Sequence, residues 1–96
     1  MFMGMYEFEG DPDELVAAYD RLMEFVPSDG LPFHACVRRD GGIVIYDCCP
    51  DRDVFRGFSS SDGLLDAMRD AGLPTATVTE LGDVHAARSR DQFITE

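Results

Sequence analysis

Two adjacent cysteines follow an apolar run in the segment IVIYDCCPD, residues 43 to 51, and thiols are among the few side chains that can act as nucleophiles. Successive residues of a strand point to opposite faces, so Cys48 and Cys49 cannot bind one metal ion together. With Cys36 they still lack the C-x-x-C spacing of a zinc site, and we predict no metal. Two interpretations stay open: the cysteines pack as small apolar side chains, or Pro50 bends the chain and exposes Cys49 as a reactive thiol at the rim of a pocket.

A histidine and an aspartate can form a general base if the two strands that carry them pair in the right register. The Asp-Gly-Gly sequence at residues 40–42 allows two different two-residue turns, and both keep His34 and Asp47 on one face. In the first register, with the turn at residues 40 and 41, they lie directly opposite each other. The carboxylate would then orient the imidazole, and Arg38 on the same face could hold an anionic oxygen. The alternative is a polar pair without catalytic role, and a three-residue loop would separate the two side chains.

Three tyrosines, Tyr6, Tyr19 and Tyr46, offer phenolic hydroxyls to a ligand. Together with Cys49 and Phe55 they form the predicted ligand-binding set. The alternative is that these aromatic side chains belong to the core. The sequence contains no Gly-rich phosphate loop and no nucleotide-binding fingerprint. No serine has a general base at a recognisable spacing that would activate it as a nucleophile.

Hydrophobic periodicity predicts the elements that position these residues. In residues 1–8 both sets of alternate positions are mainly apolar, so both faces of the predicted strand are apolar, which is typical of a central strand. Residues 11–26 form a predicted helix with Asp11 as N-cap, Pro12 in the first turn and Pro27 after its end. Residues 33–39 and 43–49 then read as an antiparallel hairpin.

The second half of the chain predicts two helical pieces and a strand. A helix capped by Asp51 is interrupted by SSSDG, and a second piece ends at Gly72, which can adopt a left-handed conformation. The segment TATVTEL, residues 75–81, alternates threonine with apolar residues, and the polar tail from His85 is predicted to be mobile or to reach a partner. The inward side chains of the two helical pieces are predicted to be Val54, Phe55, Phe58, Leu64, Leu65 and Met68.

This order predicts an α+β, ferredoxin-like βαββαβ fold, with a four-stranded antiparallel sheet and its helices on one face. We assign residues 1–85 to a single domain and residues 86–96 to a polar C-terminal tail. Because the strands are apolar on both faces, the face without helices needs a cover. A second copy of the chain is the simplest cover, and we predict a face-to-face homodimer.

Composition excludes several classes of partner. The net charge is -11, from 19 acidic residues and eight basic ones, which would repel nucleic acids and anionic membranes. No apolar run is long enough to span a bilayer, and the N-terminal residues lack the features of a secretory signal. We therefore predict a cytoplasmic protein that binds neither nucleic acid nor membrane.

The element order and the segment GGIVIYDCCPDRDVFRGF resemble the dimeric α/β-barrel proteins of the antibiotic-biosynthesis-monooxygenase-like group. The resemblance extends over residues 3 to 85. Many members carry there a glycine turn, an apolar strand, an aromatic residue and a capped helix with two phenylalanines, which Asp51, Phe55 and Phe58 match. Cys49 stands in place of the aromatic residue. Haem-degrading members use tryptophan, asparagine and histidine, and this chain has neither tryptophan nor asparagine.

The resemblance implies a homodimer that binds a small apolar or aromatic ligand without a cofactor. If the protein is an enzyme, the resemblance implies cofactor-independent oxygenation or isomerisation. The residues then suggest His34 as base, Asp47 as the group that orients it, and Arg38 or a tyrosine hydroxyl as the group that steadies negative charge. The alternative is a non-catalytic module that binds a small molecule or serves only in assembly.

Overall fold

A computed structural model describes residues 1–26, 30–88 and 93–95 of the 96-residue chain. Pro27, which was predicted to follow the first helix, lies outside these residues. Within them, the strands and helices from the first strand to the fourth follow one another in the predicted order. The elements are β1 (Phe2–Glu9), α1 (Pro12–Phe25), β2 (Phe33–Arg39), β3 (Gly42–Cys49), α2 (Arg52–Ser59), α3 (Asp62–Ala71), β4 (Thr77–Asp83), β5 (Ala86–Arg88) and β6 (Phe93–Thr95).

The main sheet has four strands in the order β2-β3-β1-β4, and each neighbouring pair is antiparallel. This is the ferredoxin-like α+β arrangement, and the predicted fold class is confirmed. β1 lies in the interior of the sheet, as its two apolar faces indicate. A bulge between Met3 and Gly4 shifts the pairing of β1 with β4.

The β2–β3 hairpin has the first of the two predicted registers. Arg39 pairs with Gly42, so the turn consists of Asp40 and Gly41. Gly41 has a φ of 79°, a left-handed conformation that glycine adopts without steric cost. This turn sets the register of every pair along the hairpin.

Side chains cap all three helices at their first turns. Asp11 accepts a hydrogen bond from the Glu14 amide at 3.0 Å, and Asp51 accepts one from the Val54 amide at 2.8 Å. Ser61 caps α3, which explains why the serine-rich segment separates α2 from α3. At the other end of α3, Gly72 has a φ of 100° and ends the helix as predicted.

The helices cover one face of the sheet and leave the other without helices. The core lies on the covered face, where Phe2, Tyr6 and Phe8 of β1 are buried. The opposite face, which we call the open face, is also largely apolar. It carries Met3, Met5, Phe33, Val37, Val44, Tyr46 and Cys48.

Two details of the predicted elements were wrong. Val54 and Leu65 were predicted to point inward but are 46% and 48% exposed, because each neighbours the buried stripe of its helix without belonging to it. β4 begins at Thr77, so the first two residues of TATVTEL precede the strand. In the region predicted to be a tail, β5 pairs antiparallel with β6; residues 89–92 and 96 lie outside the described residues, and the assignment of residues 86–96 to a tail stays a prediction.

A glycine allows α2 to pack closely on the sheet. A Cβ atom added to Gly4 would lie 1.9 Å from Cζ of Phe55, whose side chain is fully buried. The Phe55 ring also packs against the rings of Phe2 and Tyr6, with centroids 5.7 Å apart in both cases. The absence of a side chain at position 4 therefore determines where α2 docks.

We expect Gly4→Ala to lower the free energy of unfolding by about 1–3 kcal/mol, because the added methyl group overlaps the Phe55 ring. The matched control is Gly57→Ala in α2, where an added Cβ meets no atom within 4 Å. That change should raise the stability by about 0.5–1 kcal/mol through helix propensity. Urea unfolding of both variants measures the difference, and equal stability of Gly4→Ala and the wild type would contradict the close packing.

Candidate functional site

A small cavity lies between the sheet and the helices, next to the β2–β3 hairpin. It encloses about 30 Å³, and its walls are mainly apolar side chains of α1, α2 and α3. Three polar side chains reach it from the sheet: Tyr6, His34 and Asp47. The cavity therefore combines an apolar lining with a few polar groups, as small-molecule sites commonly do.

His34 and Asp47 form a hydrogen-bonded pair across the hairpin. They are directly paired residues of β2 and β3, and Nδ1 of His34 contacts Oδ1 of Asp47. Asp47 is 4% exposed, so its carboxylate needs this partner to offset the hydration that it loses on burial. An ionised carboxylate can only accept hydrogen bonds, which assigns the proton of the imidazole to Nδ1.

Tyr19 of α1 contacts the other side of the imidazole. Its hydroxyl lies 2.5 Å from Nε2 of His34, and the two rings stack with centroids 5.8 Å apart and an angle of 13° between their planes. Burial raises the pKa of Tyr19, and the nearby Cys36 and Asp47 raise it further. The phenol therefore stays protonated and donates to Nε2 of the neutral imidazole.

These contacts form a chain from Asp47 through His34 to Tyr19. The carboxylate holds the ring in the tautomer with its proton on Nδ1, which leaves Nε2 as the ring atom that can accept a proton. The lone pair of Nε2 is directed at the Tyr19 hydroxyl. A substrate proton can reach Nε2 only after that hydroxyl moves, or through the hydroxyl oxygen itself.

Tyr6 is the third polar group at the cavity and the one without a partner. Its side chain is 2% exposed, and its hydroxyl has no hydrogen-bond partner among the described residues. Burial raises the pKa of this phenol well above its usual range, with further contributions from the charges of Asp47 and Cys49. The hydroxyl is thus a buried donor that none of the described residues satisfies.

The structure does not bring Arg38 to the other predicted catalytic residues. Arg38 is on the same face as His34 but four residues further along β2, a distance of about 13 Å in an extended strand. Its guanidinium is exposed and donates to Asp13 of α1. The prediction that Arg38 holds an anionic oxygen beside His34 conflicts with this position.

Three predicted ligand contacts lie elsewhere. Tyr46 is on the open face, because it alternates with Ile45 and Asp47, which face the helices. Cys49 and Phe55 belong to the fully buried core and do not line the cavity by His34. Phe58, one turn after Phe55 on the same helix face, lines the cavity instead; it was predicted to point inward but was not among the predicted ligand contacts.

The adjacent cysteines point to opposite faces, as predicted. Cys48 is on the open face and Cys49 on the helix face, and both are buried. Cys36 pairs with Ile45 and faces neither of them. Burial raises the pKa of all three thiols, which disfavours the reactive thiolate.

Residues 1–26, 30–88 and 93–95 contain no group of three or more histidine, cysteine or carboxylate side chains placed to hold a metal ion. Within the same ranges, no helix has the length and apolar character needed to cross a bilayer.

Comparison with known proteins finds similarity in structure but not in sequence family. No protein-family model and no curated protein matches the sequence. A solved structure of a variant of SnoaB, a cofactor-independent oxygenase from Streptomyces nogalater, is similar, with a TM-score of 0.55 over 95% of both chains and 21% sequence identity. At this identity the similarity concerns the fold alone, and it agrees with the predicted ferredoxin-like arrangement.

We expect His34→Leu to lower the free energy of unfolding by about 3–5 kcal/mol, because it leaves the Asp47 carboxylate buried without a partner. The double variant with Asp47→Leu should be more stable than His34→Leu alone, since it removes the unpaired charge. Urea unfolding of the single and double variants tests both statements.

The control for this cycle is Arg38→Leu, which breaks the exposed pair with Asp13 and should cost less than about 1 kcal/mol. A double variant less stable than His34→Leu would show that Asp47 is stabilising without its histidine, which contradicts the pairing described above.

Proposed function

We propose that the protein is a homodimer that binds a small, largely apolar aromatic compound and removes a proton from it without a cofactor. His34 is the base, at Nε2, and Asp47 orients the ring and stabilises the imidazolium that forms. The observation that carries the proposal is the pairing of a buried carboxylate with a histidine at the wall of an apolar cavity. The fold shared with a cofactor-independent oxygenase supports this reaction class.

Removal of a proton can lead to two reactions. In an isomerisation, Nε2 takes a proton from an enolisable carbon or a phenol, and the proton returns to the substrate at another atom. In an oxygenation, the electron-rich anion reacts with dioxygen, and a methylene group and dioxygen give a carbonyl group and water. Neither route requires a redox cofactor, because the electrons come from the substrate.

The homodimer is supported by the open face of the sheet. Val37 is 44% exposed there and Leu81 of β4 is 48% exposed, and methionines of β1 lie between their strands. A second copy packed on this face would remove that apolar surface from water. The three cysteines are free, which suits a reducing compartment such as the cytoplasm.

A second candidate function is non-catalytic binding of a small molecule. It is favoured by the hydrogen bond from Tyr19, which occupies Nε2 of His34. The adjoining cavity, at about 30 Å³, also leaves no room for a substrate beside Nε2. In this case His34 and Asp47 would only hold α1 against the hairpin.

Proton exchange separates the two candidates. 2-Tetralone is a neutral aromatic ketone with acidic α-protons, and NMR follows their replacement by deuterium in D2O. We expect the wild type to accelerate this exchange and His34→Gln to lose about 100-fold or more of the acceleration. Arg38→Gln is the control and should retain it. A wild type that gives no acceleration above buffer would refute the catalytic proposal and favour binding alone.

Light scattering on a size-exclusion column tests the homodimer. Val37→Glu on the open face should shift the protein from dimer to monomer, because it buries a charge in the proposed interface. Val54→Glu is the matched control, since Val54 is about equally exposed but lies on the helix side, and it should remain dimeric. A wild type that elutes as a monomer at all concentrations would contradict the proposal.

A further inference from the structure

A second and larger opening lies beside the cavity at His34. It has a volume of about 430 Å³ and lies between α3 and β4, and we call it the β4 cleft. Its walls include Tyr6, Ser59, Met68, Leu73, Ala76 and Val78. These side chains are mostly apolar, and Arg69 at the same cleft is paired with Asp66 at 2.8 Å.

The β4 cleft and the cavity at His34 share two wall residues, Tyr6 and Met68. The cavity, at about 30 Å³, has room for roughly one water molecule. The cleft falls in the range of roughly 300–1,000 Å³ in which proteins bind ligands of drug size. The bulk of an aromatic ligand therefore fits the cleft and does not fit the cavity.

The chemistry of Tyr6 restricts which ligand fits. Its hydroxyl is buried and has no partner among the described residues, so a ligand that bonds to it relieves a desolvation cost already present in the fold. The phenol keeps its proton, because burial and the charge of Asp47 raise its pKa. It acts as a donor, and the matching ligand atom is an acceptor.

Electrostatics disfavour an anionic ligand. The net charge of the chain is -11, and the Asp47 carboxylate lies close enough to Tyr6 to affect its ionisation. A carboxylate or phosphate brought to the Tyr6 hydroxyl would be repelled by both. A neutral carbonyl oxygen accepts the same hydrogen bond without that repulsion.

We propose that the β4 cleft binds the ring system of a neutral aromatic carbonyl compound, whose carbonyl oxygen accepts a hydrogen bond from Tyr6. The inference rests on the proposed function in one respect, that the bound compound presents its reacting atom to His34. Met68 lines both openings, and a change of rotamer in its unbranched side chain would connect them. Tyr6 is then a positioning residue that fixes the ligand relative to the base.

The test compares two rigid, neutral probes of nearly the same shape, 9-fluorenone with a carbonyl group and fluorene without one. We expect Tyr6→Phe to bind fluorenone about fivefold to tenfold more weakly than the wild type, since one buried hydrogen bond is lost. Fluorene should bind equally to both proteins. Tyr6→Phe should melt no lower than the wild type, because it removes an unpaired buried hydroxyl. Equal affinities of both proteins for fluorenone would overturn the proposal.

A cleft-filling variant locates the ligand independently of Tyr6. Ala76→Phe should weaken binding of both probes at least tenfold, whereas Ala17→Phe on the exposed side of α1 should not affect it. In the wild type, NMR contacts should join fluorenone to methyl groups of Val78 and Leu73. Contacts confined to Leu22 and Leu31, which line the cavity at His34, would overturn the proposal.

The binding test and the exchange test are independent, so either proposal can be refuted without the other. Fluorenone has no α-protons, so its affinity does not depend on catalysis. Binding that depends on the Tyr6 hydroxyl, together with no exchange of 2-tetralone, would refute the proposed base and leave the cleft assignment in place. Catalysed exchange with no dependence of fluorenone binding on Tyr6 would refute the cleft assignment alone.

Discussion

The buried carboxylate of Asp47 is the group on which the rest of the structure depends. A charge at 4% exposure is tolerated only with a partner, and the partner is the imidazole of His34 on the neighbouring strand. On its other side Asp47 pairs with Gly4 of β1, over which the Phe55 ring packs. Asp47 therefore lies where three features come together. These are the register of β2, the glycine of β1 and the docking of α2 on that glycine.

The two partners of His34 differ in how they are placed beside it: one lies on the neighbouring strand of the hairpin and the other on a separate helix. Asp47 is connected to it by a two-residue turn, so a slip of one residue in the hairpin would place the two side chains on opposite faces. Tyr19 is positioned by α1, which packs on the sheet through Leu15, Ala18 and Leu22. The imidazole is thus held by local pairing on one side and by tertiary packing on the other, and only the second can relax without unfolding the sheet.

Strand parity explains how much of this site could be predicted from the sequence. Alternation and an Asp-Gly turn suffice to pair His34 with Asp47, and the same alternation excludes Tyr46 from their face. Parity does not measure distance along a strand, which is why Arg38 was grouped with residues that it does not reach. The contact between Tyr19 and His34 depends on how α1 docks, and helical periodicity identifies a buried face without its partner. The segments of β5 and β6 are three residues long and show no alternation of apolar and polar residues, so their pairing could not be predicted from the sequence.

The most direct test of this account is the protonation state of the two ring nitrogens of His34. Long-range proton–nitrogen NMR on the 15N-labelled protein distinguishes them, and the His34→Gln variant assigns the signals against those of His85. In the neutral imidazole we expect the proton on Nδ1, held by Asp47, and a bare Nε2 that accepts from Tyr19. A proton on Nε2 with a bare Nδ1 would leave the Asp47 carboxylate without its donor, and it would contradict both the pairing and the proposed base.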